Sequence, residues 1–172
     1  MKDGLVNFEQ ITSNILLQAR MLHPKYKPAV VFDFDGTLID ISTVEYLVLG
    51  KERDFETFHR ESINCPPYLS VLKLAQNLLL NNIKVFILSG RQERFRALTD
   101  YWLAMMELPV DELILRPSNY NGTKLEFKGE AMSKLLKFNT IIAIFENDPD
   151  LLQLWKRMKI DQIFKCPELT LI

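Results

Sequence analysis

Two carboxylates stand two residues apart at the end of an apolar run in AVVFDFDGTLID, residues 29–40. Side chains at i and i+2 of an extended segment share a face. Asp33 and Asp35 would therefore repel unless a cation joins them or one of them holds a proton. Magnesium suits such a pair, because it takes a few carboxylates, keeps several waters and binds a phosphate oxygen. The chemistry that follows is phosphoryl transfer. One carboxylate would attack phosphorus and carry the phosphoryl group. The other would give a proton to the leaving oxygen and later take one from water. Gly36 lets the backbone turn and approach a phosphate, and Thr37 adds a hydroxyl and an amide. A turn after a strand accounts for "DG" by itself. D-x-D-G-T after an apolar strand is expected by chance in on the order of one chain in several hundred.

Other polar residues end apolar runs in the same way. Ser89 follows "VFIL", and its hydroxyl, with nearby amides such as that of Gly90, could bind a phosphate oxygen at a helix N-terminus. "SGRQ" is equally a capping-box pattern. Arg91 could fork onto a substrate phosphate. Glu146 closes "TIIAIFE" and could complete a magnesium shell with help from Asn147 or Asp150. Asp148 precedes Pro149, the pattern of a helix cap followed by proline. Phosphoryl transfer also needs a cation on the moving group. Lys124, Lys128, Lys134 and Lys137 lie in the right segment. Lys128, after Phe127 near the start of its helix, is the favoured one. His23 and His59 have no partners in the sequence and read as structural or surface residues.

These positions require elements to hold them. Leu5, Phe8, Ile11, Ile15, Leu16, Ala19 and Leu22 recur at helical spacing, which predicts an amphipathic helix over 4–22. "HPKYKP" ends it. Residues 29–34 form a first strand, continuous enough in apolar character to be covered on both faces. Helical pieces follow at 42–50, 54–62 and 67–81, with "CPP" at 65–67 placing proline in a first helical turn. A second strand spans 83–88, and a helix runs on from Ser89 as its cap. A short third strand covers 112–115, "RPSNYNGT" is loop, and a helix covers 125–137. A fourth strand covers 140–145, a helix runs from Pro149 to about Met158, and "QIFKC" is a last edge strand. Alternating strand and helix with short joints implies a parallel α/β sheet with helices on both faces. Ligands bind outside the carboxyl ends of such strands, where Asp33, Asp35, Ser89 and Glu146 would converge. Residues 38–82 are the long insertion, read as a small helical cap within a single domain spanning 1–172, after an N-terminal helix and lead-in over 1–27.

The 172 residues suit one domain with a proper core. Net charge is -1 and the pI about 6.1, unlike a protein that grips long duplex nucleic acid. A small anion or a strand end needs only a few local cations. Cys65 and Cys166 fit no metal spacing and read as free thiols in a reducing cytosol. Polar residues interrupt the N-terminal stretch, so it does not read as a signal peptide. No apolar run reaches the ~20 residues of a membrane span. The expected setting is cytoplasmic, with no membrane partner. The oligomeric state is left open.

"DFDGT", "ILSGR", "FK" and the acidic end of "IAIFEND" resemble, in order, the four motifs of the haloacid dehalogenase-like (HAD) phosphohydrolases. The resemblance implies a Rossmann-like three-layer parallel sheet, a magnesium cofactor and a phosphorylated substrate. Carried over by position, it implies Asp33 as nucleophile, Asp35 as acid/base, Ser89 as phosphate ligand, Lys128 as stabilising lysine and Glu146 as metal ligand. The implied metal set is Asp33, Asp35, Glu146 and Asn147. Residues 58–103, with "DELILRP…LEFK" and "DPDLLQLWKRMKI", resemble the phosphatase domain of phage-type polynucleotide kinase/3′-phosphatases. That family removes 3′-phosphates from nucleic acid ends and places arginines near the substrate where Arg91 and Arg116 fall. No kinase motif G-x-x-x-x-G-K-[ST] is present. Two features depart from the pattern: Glu146-Asn147-Asp148 replaces a double aspartate with arginine, and Lys124 replaces an aspartate. "LILRP" and "KPAVVFD" also resemble acid phosphatases of the same superfamily. Two alternatives therefore stand beside the nucleic-acid reading: a hydrolase of small phosphometabolites, and a non-catalytic domain that binds phosphate or a partner.

Overall fold

The computed structural model of the protein describes residues 8–22 and 27–172. Its strands are β1 (Pro28–Phe32), β2 (Lys84–Gln92), β3 (Glu112–Arg116), β4 (Thr140–Glu146), β5 (Ile163–Lys165) and β6 (Thr170–Leu171). The helices are α1 (Phe8–Met21), α2 (Phe55–Glu61), α3 (Leu69–Leu80), α4 (Arg96–Met105), α5 (Lys124–Phe138) and α6 (Pro149–Arg157). The six strands form one sheet in the order β3-β2-β1-β4-β5-β6. All neighbours are parallel except β5 and β6.

Strand residues of alternate parity feed two cores. Val30, Phe32, Val85 and Ile87 pack with Ile11 and Ile15 of α1, with Leu74 and Leu78 of α3 and with Trp102 of α4. Ala29, Val31, Phe86 and Leu88 pack with Met132 of α5 and Leu151 and Trp155 of α6. This is the three-layer arrangement expected of a parallel sheet, and it explains why β1 is apolar at every position. The strand order reverses between β1 and β4, which opens the crevice that such sheets use for ligands.

The described elements refine several expectations. The proposed helix start at residue 4 and most of "HPKYKP", with His23, lie outside the described residues. The stretch 38–82 divides in two. α3 is the crossover helix that returns the chain to β2, and 38–64 is the extra segment. Its Val44 and Phe58, with Cys65 just after it, join the core shared with α1 and α3. Pro66 and Pro67 do not start α3, which begins at Leu69 with Tyr68 at its cap position. They form an extended bridge instead: Asp40 N donates to Pro66 O at 2.8 Å, and Ile39 pairs with Pro67. Ser89 caps no helix. β2 runs on to Gln92 because β3 pairs with it through Ser89 and Gln92, and α4 starts only at Arg96. "QIFKC" is not the edge, since β6 covers β5.

Candidate active site

β1 stops at Phe32, yet the Asp33 amide still donates to Phe145 O at 2.9 Å, so β4 holds the first aspartate in line. The Phe34 side chain is fully buried and meets Trp102 edge-on at 5.1 Å. This apolar anchor between the two acids fixes the loop. Thr37, Leu38 and Ile39 all donate their amides to Phe34 O, and Gly36 N donates to Ile39 O at 3.0 Å. Gly36 adopts φ +79, a conformation that L side chains resist. The Asn147 side chain occupies the space where a Gly36 Cβ would stand.

Asp33 and Asp35 do not share one cation; each has its own. α5 begins with a capping box between Thr123 and Glu126, and one turn later it delivers Lys128, which is 1% exposed. Lys128 Nζ donates to Asp33 Oδ1 at 2.6 Å and to Glu146 Oε2 at 3.0 Å. The second Glu146 oxygen accepts from the amides of Asn147 and Asp148 at 3.1 and 3.2 Å. Across the crevice, Arg91 from β2 grips Asp35 with both carboxylate oxygens engaged, Nε to Oδ2 at 2.9 Å and Nη2 to Oδ1 at 2.6 Å.

These environments drive the two acids apart electrostatically. Burial, with the Glu146 charge behind it, raises Asp33 to about 7 despite Lys128. Asp35 is buried as well, but the Arg91 charge and hydrogen bonds outweigh the desolvation and hold it below the usual carboxylate range. Burial would lower Lys128; Asp33 and Glu146 reverse this and keep it protonated. Three acids face two cations, so the cluster carries a surplus negative charge. That surplus raises the proton affinity of Asp33.

The remaining sequence-predicted residues lie as follows. Ser89 is buried, and its hydroxyl accepts the Arg91 amide at 3.2 Å. Thr37 is buried, with Oγ1 3.5 Å from Asn147 Oδ1. The Lys124 side chain lies against Gly90 and pairs with Asp148. Asp148 caps α6 through the Asp150 and Leu151 amides. Arg91, expected to fork onto a phosphate, is 1% exposed and committed to Asp35. Arg116 stands one strand farther out at the end of β3, half-buried. Its side chain has no hydrogen bond or ion pair among the described residues, and its Nε is buried without a partner. His59 is buried between Phe58 and Phe95 and is pushed down to about 4 by desolvation, so it is neutral. Sequence reasoning missed Ser62 and Thr99, both of which accept from Arg91. Nothing in their spacing marks them. Phe34 was missed as well, although an apolar residue between the two acids is a local signal that could have found it.

Among the described residues, no three His, Cys, Asp or Glu side chains converge as a metal cage. The expected ligands Asp35 and Glu146 have their oxygens taken by Arg91, Lys128 and two amides. The donor set is nonetheless chemically suited to a hard divalent cation. Asp33 is the acid whose proton affinity is raised and whose proton a cation would displace, its second oxygen has no hydrogen bond among the described residues, and the Asn147 amide oxygen faces the same loop. Magnesium takes one or two carboxylates with phosphate and water rather than an all-protein cage.

A family model described as HAD superfamily, subfamily IIIB (Acid phosphatase) matches residues 6–170. None of the curated proteins matches the chain. Among solved structures, a chain of a Pnkp1/Rnl/Hen1 complex is similar at TM-score 0.69 and 20% identity, over 81% of this chain and 45% of that one. A chain of the Pnkp1/Rnl/Hen1 RNA repair complex gives 0.66 and 22%, over 80% and 42%. The chain thus spans less than half the length of these two relatives. The class C acid phosphatase from Bacillus anthracis with tungstate bound gives 0.68 and 16%, over 95% of this chain and 76% of that one.

Proposed function

The chain belongs to the HAD superfamily, subfamily IIIB, the acid phosphatases, and on that premise we propose that it is a magnesium-dependent phosphomonoesterase working through a phosphoryl group carried on Asp33. The observation that carries this reading is the opposite treatment of the two aspartates: Asp33 shares a buried lysine with Glu146, while Asp35 is clamped by a separate arginine. The two acids stand in different environments, which suits a division of work; the motif supplies the order of the roles, since without metal and phosphate it is Asp33, not Asp35, whose proton affinity is raised.

In the first step an Asp33 oxygen attacks phosphorus, the bond to the leaving oxygen breaks, and Asp35 supplies that oxygen with a proton. Before this step Asp33 must be ionised and Asp35 protonated, the reverse of their metal-free tendencies. With a cation bound, Asp33 would release its proton to water, and the negative charge of an arriving phosphate favours uptake of a proton from water by Asp35. In the second step water attacks phosphorus, Asp35 accepts its proton, and the Asp33 carboxylate departs. Lys128 stays protonated beside Asp33 and offsets charge on the phosphoryl oxygens. Thr37, Ser89 and the Gly90 amide would contact those oxygens; the Gly36 amide is already bonded to Ile39 O. Asp33 and Asn147 would be the donors to magnesium; Asp35 and Glu146 would join only by releasing their cations. Bound magnesium would neutralise charge on the transferring group.

The substrate class we favour is a nucleic acid 3′-phosphate end or a nucleotide. The motif resemblance and the likeness to the RNA repair complex support it, and the extra segment 38–64 is small enough to leave an end accessible. Arg116, with a buried Nε lacking a partner, would approach such a substrate. The family model favours a second reading, a hydrolase of small phosphometabolites. Two further parts of the proposal are a single phosphatase domain and a cytoplasmic setting. The buried free thiols of Cys65 and Cys166 suit a cytoplasmic setting, and no helix among the described residues is long and apolar enough to cross a membrane. A panel of 3′-phosphorylated oligonucleotides, nucleotides and sugar phosphates, assayed with magnesium, tests the substrate. Preference for the oligonucleotides is expected. Preference for a sugar phosphate by orders of magnitude would replace the first reading with the second.

A further inference from the structure

Arg91 is the one fully buried cation outside the Asp33–Lys128–Glu146 cluster among the described residues, and the reaction above gives its guanidinium no substrate to touch. Besides both Asp35 oxygens, Nη2 reaches Ser62 Oγ at 2.6 Å and Nη1 reaches Thr99 Oγ1 at 3.4 Å. The Phe34 ring lies 4.5 Å from the guanidinium carbon. Four of the five N–H donors of the fork are thus engaged, which leaves no pair to face a phosphate. The partners are tied down in turn. Ser62 Oγ donates to His59 O at 3.2 Å, and Thr99 Oγ1 donates to Phe95 O at 3.1 Å.

Four parts of the chain meet on this one group: the loop after β1, the extra segment 38–64, β2 and α4. Two-point contact fixes the plane of a carboxylate in a way a point charge does not. We infer that Arg91 is a positioning residue that, through Ser62, couples the seating of segment 38–64 to the orientation of the Asp35 carboxylate. The inference rests on Asp35 as the proton carrier. It assigns to the extra segment an influence on proton delivery, with no contact to the phosphate. A change confined to Ser62 therefore acts on the leaving group and spares phosphate binding.

Protonation of a leaving oxygen matters for a poor leaving group and hardly for a good one. The test is therefore kcat/KM, which reports the first half-reaction, for 2-glycerophosphate and for 4-nitrophenyl phosphate. Arg91→Lys is expected to lower kcat/KM on the glycerol ester by about 100-fold and to leave the nitrophenyl ester nearly unchanged. Ser62→Ala is expected to shift the ratio of the two in the same direction by about fivefold, the value of one hydrogen bond. Asp35→Asn is the reference and should show the same selectivity, more strongly. If Asp35→Asn is selective while Arg91→Lys and Ser62→Ala slow both esters alike, the positioning role is wrong and the proton-carrier role stands. If Asp35→Asn itself slows both alike, the reading of Asp35 fails and the inference falls with it. Should Arg91→Lys not fold, the ratio for Ser62→Ala decides alone, since that variant keeps the Arg91–Asp35 pair.

Discussion

The two halves of the crevice are built from the same materials and reach opposite electrostatic ends. On the Asp35 side, one carboxylate meets one arginine, both oxygens are engaged, and the acid is held ionised. On the Asp33 side, two carboxylates share one lysine, and burial with the second acid raises Asp33 to about 7. The difference is one negative charge, and it teaches where a guest would go. The Asp35 half is complete within the chain. The Asp33 half has capacity for more positive charge, from a divalent ion, and is the half that a phosphoryl group would join.

The largest expected effect comes from removing the acid of the incomplete half. Asp33→Asn should cut turnover of an aryl phosphate by on the order of 10⁴-fold or more. Asp35→Asn on the same ester should cost less in kcat/KM, which reports the first half-reaction, because a good leaving group needs little protonation. Equal losses in kcat/KM of both variants would erase the proposed division of labour.

Next comes stability. Lys128→Met leaves two buried acids without their cation and should destabilise the fold by about 3–5 kcal/mol in urea unfolding. A loss under about 1 kcal/mol would mean that water reaches Asp33 and Glu146 freely.

The pH dependence separates the halves by sign. Asp33 rises from 3.8 to about 7 in the folded protein. Between those values the folded state keeps a proton that the unfolded chain has lost, so this group lowers stability as pH rises through that window. Asp35 behaves in the opposite way: its contribution is present above 3.8 and is lost as pH falls through its lowered folded value. Urea unfolding from pH 4 to 8 without metal should therefore show a falling component that Asp33→Asn removes. Magnesium competes with that proton, so millimolar magnesium should stabilise the protein more at pH 8 than at pH 5. Equal stabilisation at both pH values would place the ion elsewhere.

A smaller effect belongs to the loop that joins the halves. Gly36→Ala puts a side chain on a backbone at φ +79 and against Asn147, at a cost of about 1–3 kcal/mol. Adding Asn147→Ala should recover the part due to contact and leave the part due to φ. Full recovery would show that the conformation itself carries no strain.

Much of this frame was legible in the sequence because its signals are local. An unbroken apolar run gave β1 as a buried strand, and D-x-D-G-T marked its end. Asp148-Pro149 marked the start of α6, and Lys128 stood at the right turn of α5. Ser89 was misleading because a capping pattern and a strand end share residue types. Pairing with β3 decided between them, and that partner lies more than twenty residues away. The role of Arg91 was illegible for the same reason, since its partners Asp35 and Ser62 come from two distant segments and only Thr99 is near in sequence. The exact helix start near residue 4 lies outside the described residues.

The central claim is that Asp33 bears the phosphoryl group. Rapid acid quench of the enzyme during turnover of 4-nitrophenyl phosphate with magnesium, followed by mass analysis of its peptides, tests it most directly. The account predicts one added phosphoryl group on the peptide that contains Asp33, labile to hydroxylamine and absent from Asp33→Asn. Phosphorylation of any other residue, or full turnover by Asp33→Asn, would contradict it.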